Sequence, residues 1–242
     1  MIKNTVKLKP YTLLKDKHLG ETAFVVASGT SLNDLDISRI HDHVVISLNA
    51  SILLMNWSKG KADKRYWISN DAFCRQWSYW KNVMEAKANK IVRDSWRKYF
   101  RELKGFYVFN PRPTDENSIN FKDEGLCHCS SAPSALDLAL QMGCKKVFLL
   151  GVDHCIRSRS GRRYFWQYWD KKKRPRFQRE MHSRFHQMRI FVLNNKVYSQ
   201  LKRFADHKKA VVYNCSSFSQ VEPFDKVTLE EALLMANRDS NG

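Results

Sequence analysis

The residues of this chain whose types and spacing point to chemistry are small polar residues at the ends of short apolar runs. Phe24-Val25-Val26-Ala27 leads into Ser28-Gly29-Thr30-Ser31, and Lys146–Leu150 leads through Gly151-Val152 into Asp153. Hydroxyls and backbone N–H groups after a glycine can hold an anion, and Asp153 could orient a hydroxyl or hold a cation. Asn49 follows the run Val44–Leu48, and Asn70 follows Arg65–Ser69. Each offers an amide to a base, a ribose or a phosphate. Ser130 and Ser131 open a further helical segment. Any one of these is equally a capping or turn residue. Several strand ends carrying polar groups together point to a nucleotide site.

The elements that must position them follow from the apolar patterning. Runs at 23–27, 44–48, 65–69, 105–109, 146–150 and 210–214 read as buried strands, and 130–142, 182–206 and 228–236 read as helices. A short helix is also expected directly after Gly29, its capping residues drawn from Ser31-Leu32-Asn33-Asp34-Leu35-Asp36. Strands alternating with helices imply a mostly parallel sheet with right-handed crossovers. The expected fold class is α/β, a single Rossmann-like domain over 1–242 with helices on both faces. Ligands of such sheets bind beyond the carboxyl ends of the strands.

Two segments depart from that pattern. Residues 73–104 read as a helical insertion, aromatic and basic, lying outside the sheet core, with Trp77, Tyr79, Trp80 and Trp96 as its visible members. Residues 155–181 interleave cations with aromatics and read as a lid, in which Arg162 and Arg163 are candidates to hold phosphate.

Lysine and arginine number 42 against 24 acidic residues, a formal charge of +18. This argues against an ordinary enzyme of neutral metabolites and for an anionic partner: nucleic acid, an acidic membrane surface, a phosphorylated glycolipid or an anionic small substrate. No apolar run approaches the ~20 residues of a spanning helix, and the start of the chain has no signal-type apolar stretch. The expected location is cytoplasmic, compatible with peripheral membrane association. An oligomer is equally compatible with the sequence. The six cysteines form no regular framework, and Cys127-His128-Cys129 with His154 and Cys155 lacks the paired spacing of a structural zinc site. Asp34-Leu35-Asp36 falls where helix capping explains it, so no metal site is assigned. The dinucleotide fingerprint G-x-G-x-x-G is absent, which argues against NAD.

The string Ala27-Ser28-Gly29-Thr30-Ser31-Leu32-Asn33-Asp34-Leu35-Asp36-Ile37-Ser38-Arg39 resembles the glycine-rich opening of the bacterial sialyltransferases of glycosyltransferase family 42. It is similar also to the motility-associated glycosyltransferases and the 6-hydroxymethylpterin diphosphokinase-like superfamily. Asn49, Ser130-Ser131-Ala132, Leu149-Leu150-Gly151-Val152-Asp153 and Tyr213-Asn214-Cys215-Ser216 continue the resemblance in the same order. Ala27 and Thr30 depart from it, standing where the family usually has glycine and proline.

The resemblance implies a nucleotide-sugar donor, a cytidine monophosphate sugar, with Ser130 and Ser131 at its base and ribose. It also implies a lid whose tyrosines, here Tyr164 and Tyr168, touch the donor phosphate. It implies a catalytic histidine past the Gly-x-Asp strand end, an interval that holds His182 and His186. These stand one helical turn apart, and histidine suits a base near neutral pH. Transfer would then go to a hydroxyl of an anionic acceptor, with no cofactor beyond the donor. Two alternatives remain at this point. A pterin-type diphosphokinase would need magnesium, and a non-catalytic nucleic-acid-binding module would bind in a salt-sensitive way without using the strand-end residues.

Overall fold

β-branched and aromatic residues concentrate in five-residue runs bounded by turn residues, and in the computed structural model these runs form strands. It describes residues 8–56, 59–112, 124–155, 162–176 and 184–238. The strands are β1 (Lys9–Pro10), β2 (Thr22–Val26), β3 (Val44–Leu48), β4 (Arg65–Ser69), β5 (Asn89–Arg93), β6 (Tyr107–Phe109), β7 (Lys146–Leu150), β8 (Val211–Asn214) and β9 (Asp225–Lys226). Every pairing is parallel, in the order β1-β6-β5-β4-β3-β2-β7-β8-β9. From β2 the chain steps outward through β3, β4, β5 and β6. It then crosses back to lay β7 on the other side of β2, where Val25 pairs with both Ile46 and Leu149. The reversal of direction between β2 and β7 is the switch point at which such sheets open a crevice.

Side chains alternate across the sheet with period two. Ala23 and Val25 face one layer, packed with α2 (Ser131–Gln141) and α3 (Arg184–His207). Phe24 and Val26 face the other, with α1 (Trp80–Glu85), α4 (Leu229–Arg238) and several 3-10 turns. On that second face Phe24 stacks on Phe148 at 5.2 Å and Phe148 on Tyr213 at 5.5 Å, a ring ladder across three strands. The chain is a Rossmann-like α/β sheet with helices on both faces. No helix among the described residues is long and apolar enough to cross a membrane.

One expectation is corrected. Residues 73–104 are not a helical insertion outside the core. Asn89–Arg93 is a strand between β4 and β6, and α1 is the segment's single α-helix. Trp96 is fully buried and lies 5.9 Å from Trp80. A strand with two apolar residues flanked by Asn, Lys and Arg has too weak a period to read locally; pairing on both edges makes it. The short helix expected after Gly29 is a five-residue 3-10 helix, Thr30–Asp34. It ends because Asp36 caps a second such turn, accepting from the Ser38 N–H at 3.1 Å.

Candidate functional site

At the switch point the loops after β2 and β7 are bonded to one another. Ala27 N–H donates to Leu150 O and Gly29 N–H to Gly151 O, both at 2.8 Å. Gly151 takes φ +69°, turning the chain back toward β2. A Cβ on Gly29 would sit 2.5 Å from Gly151 O and from the Asp153 carboxyl carbon. Gly29 is therefore required by the contact of these two loops. The Asp153 carboxylate accepts from Ser31 N–H at 2.9 Å, Ser31 Oγ at 2.6 Å and Thr30 Oγ1 at 3.3 Å. Donors that the sequence offers to an anion at this turn are engaged by the chain's own carboxylate, which is 4% exposed.

Around this floor lie the other strand ends. Asn49, directly after β3, is held at φ +49°; its Oδ1 accepts from Ser69 Oγ at 2.8 Å and its carbonyl from Trp67 Nε1 at 3.1 Å. Asn70, directly after β4, donates its backbone N–H to Ser131 Oγ at 3.0 Å and its Nδ2 to Ser134 Oγ at 2.8 Å. Ser130 and Asn194 exchange hydrogen bonds: Ser130 Oγ donates to Oδ1 at 3.2 Å and accepts from Nδ2 at 2.9 Å. The same Nδ2 lies 3.4 Å from His154 Nε2. His154 also takes a positive φ, +48°, and burial pulls its imidazole down to about 4, so the ring is neutral at physiological pH. Left-handed backbone at two non-glycine strand ends is strain concentrated on one edge of the sheet.

Buried side-chain atoms on this edge, Ser28 Oγ and Asn70 Oδ1 among them, have no hydrogen-bond partner among the described residues. The segment after residue 161 closes over the first of them. Phe165 N–H donates to Ser28 O at 3.1 Å, and Phe165 and Trp166 are buried. Tyr164 stacks on Trp166 at 5.4 Å, and Trp166 meets Trp77 edge-on at 5.4 Å. Arg163 N–H donates to Gln167 Oε1 at 2.6 Å, while the Arg162 guanidinium sits 4.9 Å over the exposed Tyr168 ring. This part of the expected lid is thus an ordered, aromatic-anchored turn. Of the two histidines, His182 lies outside the described residues, as do lid positions 156–161 and 177–181. His186 is in the first turn of α3, the crossover helix from β7 to β8, whose start lies at the carboxyl edge of the sheet.

Sequence reasoning missed Asn194, Ser134 and Ser69, which tie these strand ends together. The signal for Asn194 was an Asn-Asn pair inside a helical pattern, since asparagine is a poor helix former and is kept there for its hydrogen bonds. Among the described residues no cluster of three or more His, Cys, Asp or Glu side chains is arranged to hold a metal. His128 instead pairs through Nδ1 with Arg112 O at 3.2 Å.

No family model and no curated protein matches this chain. Among solved structures it is similar to the MAf glycosyltransferase from Magnetospirillum magneticum AMB-1. The TM-score is 0.56 and the identity 17%, with 98% of this chain and 42% of that chain covered. What the two share is the fold. The chain spans about two fifths of that larger protein's length.

Proposed function

We propose that the protein transfers a sugar from a nucleotide-activated donor, a cytidine monophosphate sugar, to a hydroxyl of an anionic acceptor. The observation that carries this reading is the pair of partnerless buried atoms, Ser28 Oγ and Asn70 Oδ1, on the strand-end edge at the switch point. A buried polar atom without a partner costs about 1–3 kcal/mol, and a donor nucleotide seated there would supply the missing bonds. The fold shared with a glycosyltransferase supports the same class of reaction.

In this reading Ser28 and Asn70 bond the nucleotide, and Asn49, Ser130 and Ser131 shape the pocket for its ribose and base. Asp153 holds Gly29, Thr30 and Ser31 in place. Tyr164, Tyr168, Arg162 and Arg163 hold the phosphate as it departs with the sugar's bonding electrons. His186 or His182 takes the acceptor hydroxyl's proton. Charge on the leaving phosphate is met by hydroxyls and guanidinium groups, so no cofactor beyond the donor is invoked.

The test is a thermal-shift comparison of CMP, CDP, CTP, UDP, GDP and ATP, with and without magnesium. A ligand at about a hundred times its Kd adds about 2.7 kcal/mol, which for a chain of this size is roughly 5–10 °C. CMP should produce that shift without magnesium, and Asn70→Ala should abolish it while leaving the unliganded melting temperature within a few degrees. A magnesium-dependent preference for triphosphates would replace the reading with pyrophosphoryl transfer, and no response to any nucleotide would end it.

A further inference from the structure

A cationic cleft lies next to the ring cluster of Tyr79, Trp77 and Trp166. Residues 78–82 and 172–176 enclose a cleft of about 380 Å³, lined by Ser78, Asn82, Lys172, Lys173, Arg174 and Arg176 among others. The cationic wall is anchored to its opposite side. Ser78 N–H donates to Arg176 O and Arg176 N–H to Ser78 Oγ, both at 2.9 Å. Arg174 Nε donates to Trp169 O at 2.8 Å. Asp170, the carboxylate nearest in sequence, is exposed and accepts the Lys172 backbone N–H at 2.8 Å. Among the described residues no ion pair ties Lys172, Lys173, Arg174 or Arg176 to a carboxylate. Four cations along one concave wall, none of them ion-paired among the described residues, form an anion site.

The kind of anion follows from what else lines the cleft. Its one aromatic, Tyr79, is 4% exposed and stacked on Trp77 at 5.8 Å, so it offers no open face to a nucleobase. Single-stranded nucleic acid is held by such faces. Ser78 and Asn82 instead offer short polar groups suited to phosphate oxygens and sugar hydroxyls. The cleft volume is of small-ligand size. Its separation from the strand-end site is also built: Trp77 stands between Tyr79 and Trp166, and the turn bearing Trp166 closes over Ser28.

We infer that the cleft between residues 78–82 and 172–176 binds the phosphate or diphosphate ester of a phosphorylated glycan, and so seats the acceptor beside the donor. The acceptor role rests on the transfer reading given above; the anion site stands on the cleft alone. The test titrates inorganic pyrophosphate into the full chain by calorimetry. The comparison sets a triple variant (Lys172→Ser, Lys173→Ser, Arg176→Ser) against a charge-matched control changed at exposed lysines elsewhere (Lys61→Ser, Lys87→Ser, Lys104→Ser).

Pyrophosphate affinity should fall tenfold or more in the cleft variant and less than twofold in the control, with the CMP thermal shift kept in both. Equal affinity in the two variants would overturn the site. A cleft variant that loses pyrophosphate binding in a protein that never responds to CMP would keep the site and remove the acceptor role. Glucose 1-phosphate and vesicles carrying a diphosphate-lipid headgroup then distinguish soluble from lipid-linked sources. Single-stranded RNA bound through the cleft and not displaced by pyrophosphate would refute the glycan-phosphate assignment.

Discussion

Replacing His154 by asparagine should remove a specific part of the protein's acid sensitivity. The imidazole is 9% exposed and burial alone pulls it down to about 4, against about 6.5 in an unfolded chain. The folded state therefore favours the neutral ring, and the unfolded state binds the proton first as pH falls. The stability this group contributes is complete above about 6.5, declines from there to about 4, and is flat below. The full shift corresponds to about 3 kcal/mol, of which about 2 kcal/mol is lost between pH 7 and pH 5.

Asparagine keeps a small polar side chain and tolerates the φ of +48° that most residues resist. Urea denaturation followed by tryptophan fluorescence at the two pH values gives the slope for each protein. His41, His43 and His128 are also lowered by burial, but they are present in both proteins and cancel in the difference. The parent should lose about 2 kcal/mol more than His154→Asn over this interval. Equal losses would show that the ring is hydrated or proton-accessible in the fold, against the geometry described.

The Arg112–Asp137 pair, 3.0 Å apart with both side chains fully buried, anchors α2 to the loop before it, where Arg112 also donates to Gly125 O at 2.8 Å. Arg112→Met should cost about 3–5 kcal/mol by stranding a buried carboxylate, read as a lower urea midpoint, and adding Asp137→Leu should recover much of it. An unchanged midpoint in the single variant would refute this. Gly29→Ala places a methyl 2.5 Å from Gly151 O and the Asp153 carboxyl. It should lower the melting temperature by roughly 3–10 °C, for an overpacking cost of about 1–3 kcal/mol, and it should separate the two switch-point loops. A melting temperature within a degree of the parent would show that the loops yield without cost.

Much of the sheet was legible because its central strands are short, almost wholly apolar runs. Val44–Leu48 and Lys146–Leu150 announce themselves, and the alternation of Phe24 and Val26 against Ala23 and Val25 needs no tertiary information to read. β5 was not legible, since Asn89–Arg93 becomes a strand through its neighbours and not through its own pattern. β1 and β9 are two residues each, below any periodic signal. At the site the residue types at the strand ends were readable, but their partners were not. That Asp153 takes the donors of Thr30 and Ser31 depends on pairings 123 and 122 positions apart, which no local pattern encodes.

The place of β2 in the sheet carries a consequence for the order in which the chain can be made. It is the second strand synthesised yet sits near the middle, with Thr22 in register with Lys146. Until β7 has left the ribosome, one edge of the fully buried β2 lacks its neighbour. At about 5–20 residues per second, that wait is roughly 6 to 25 s. Bare apolar edges attract other strands. Yield of this protein on expression should therefore depend on slow synthesis at low temperature and on holdase chaperones that shield the nascent β2–β6 half-sheet until its second half arrives.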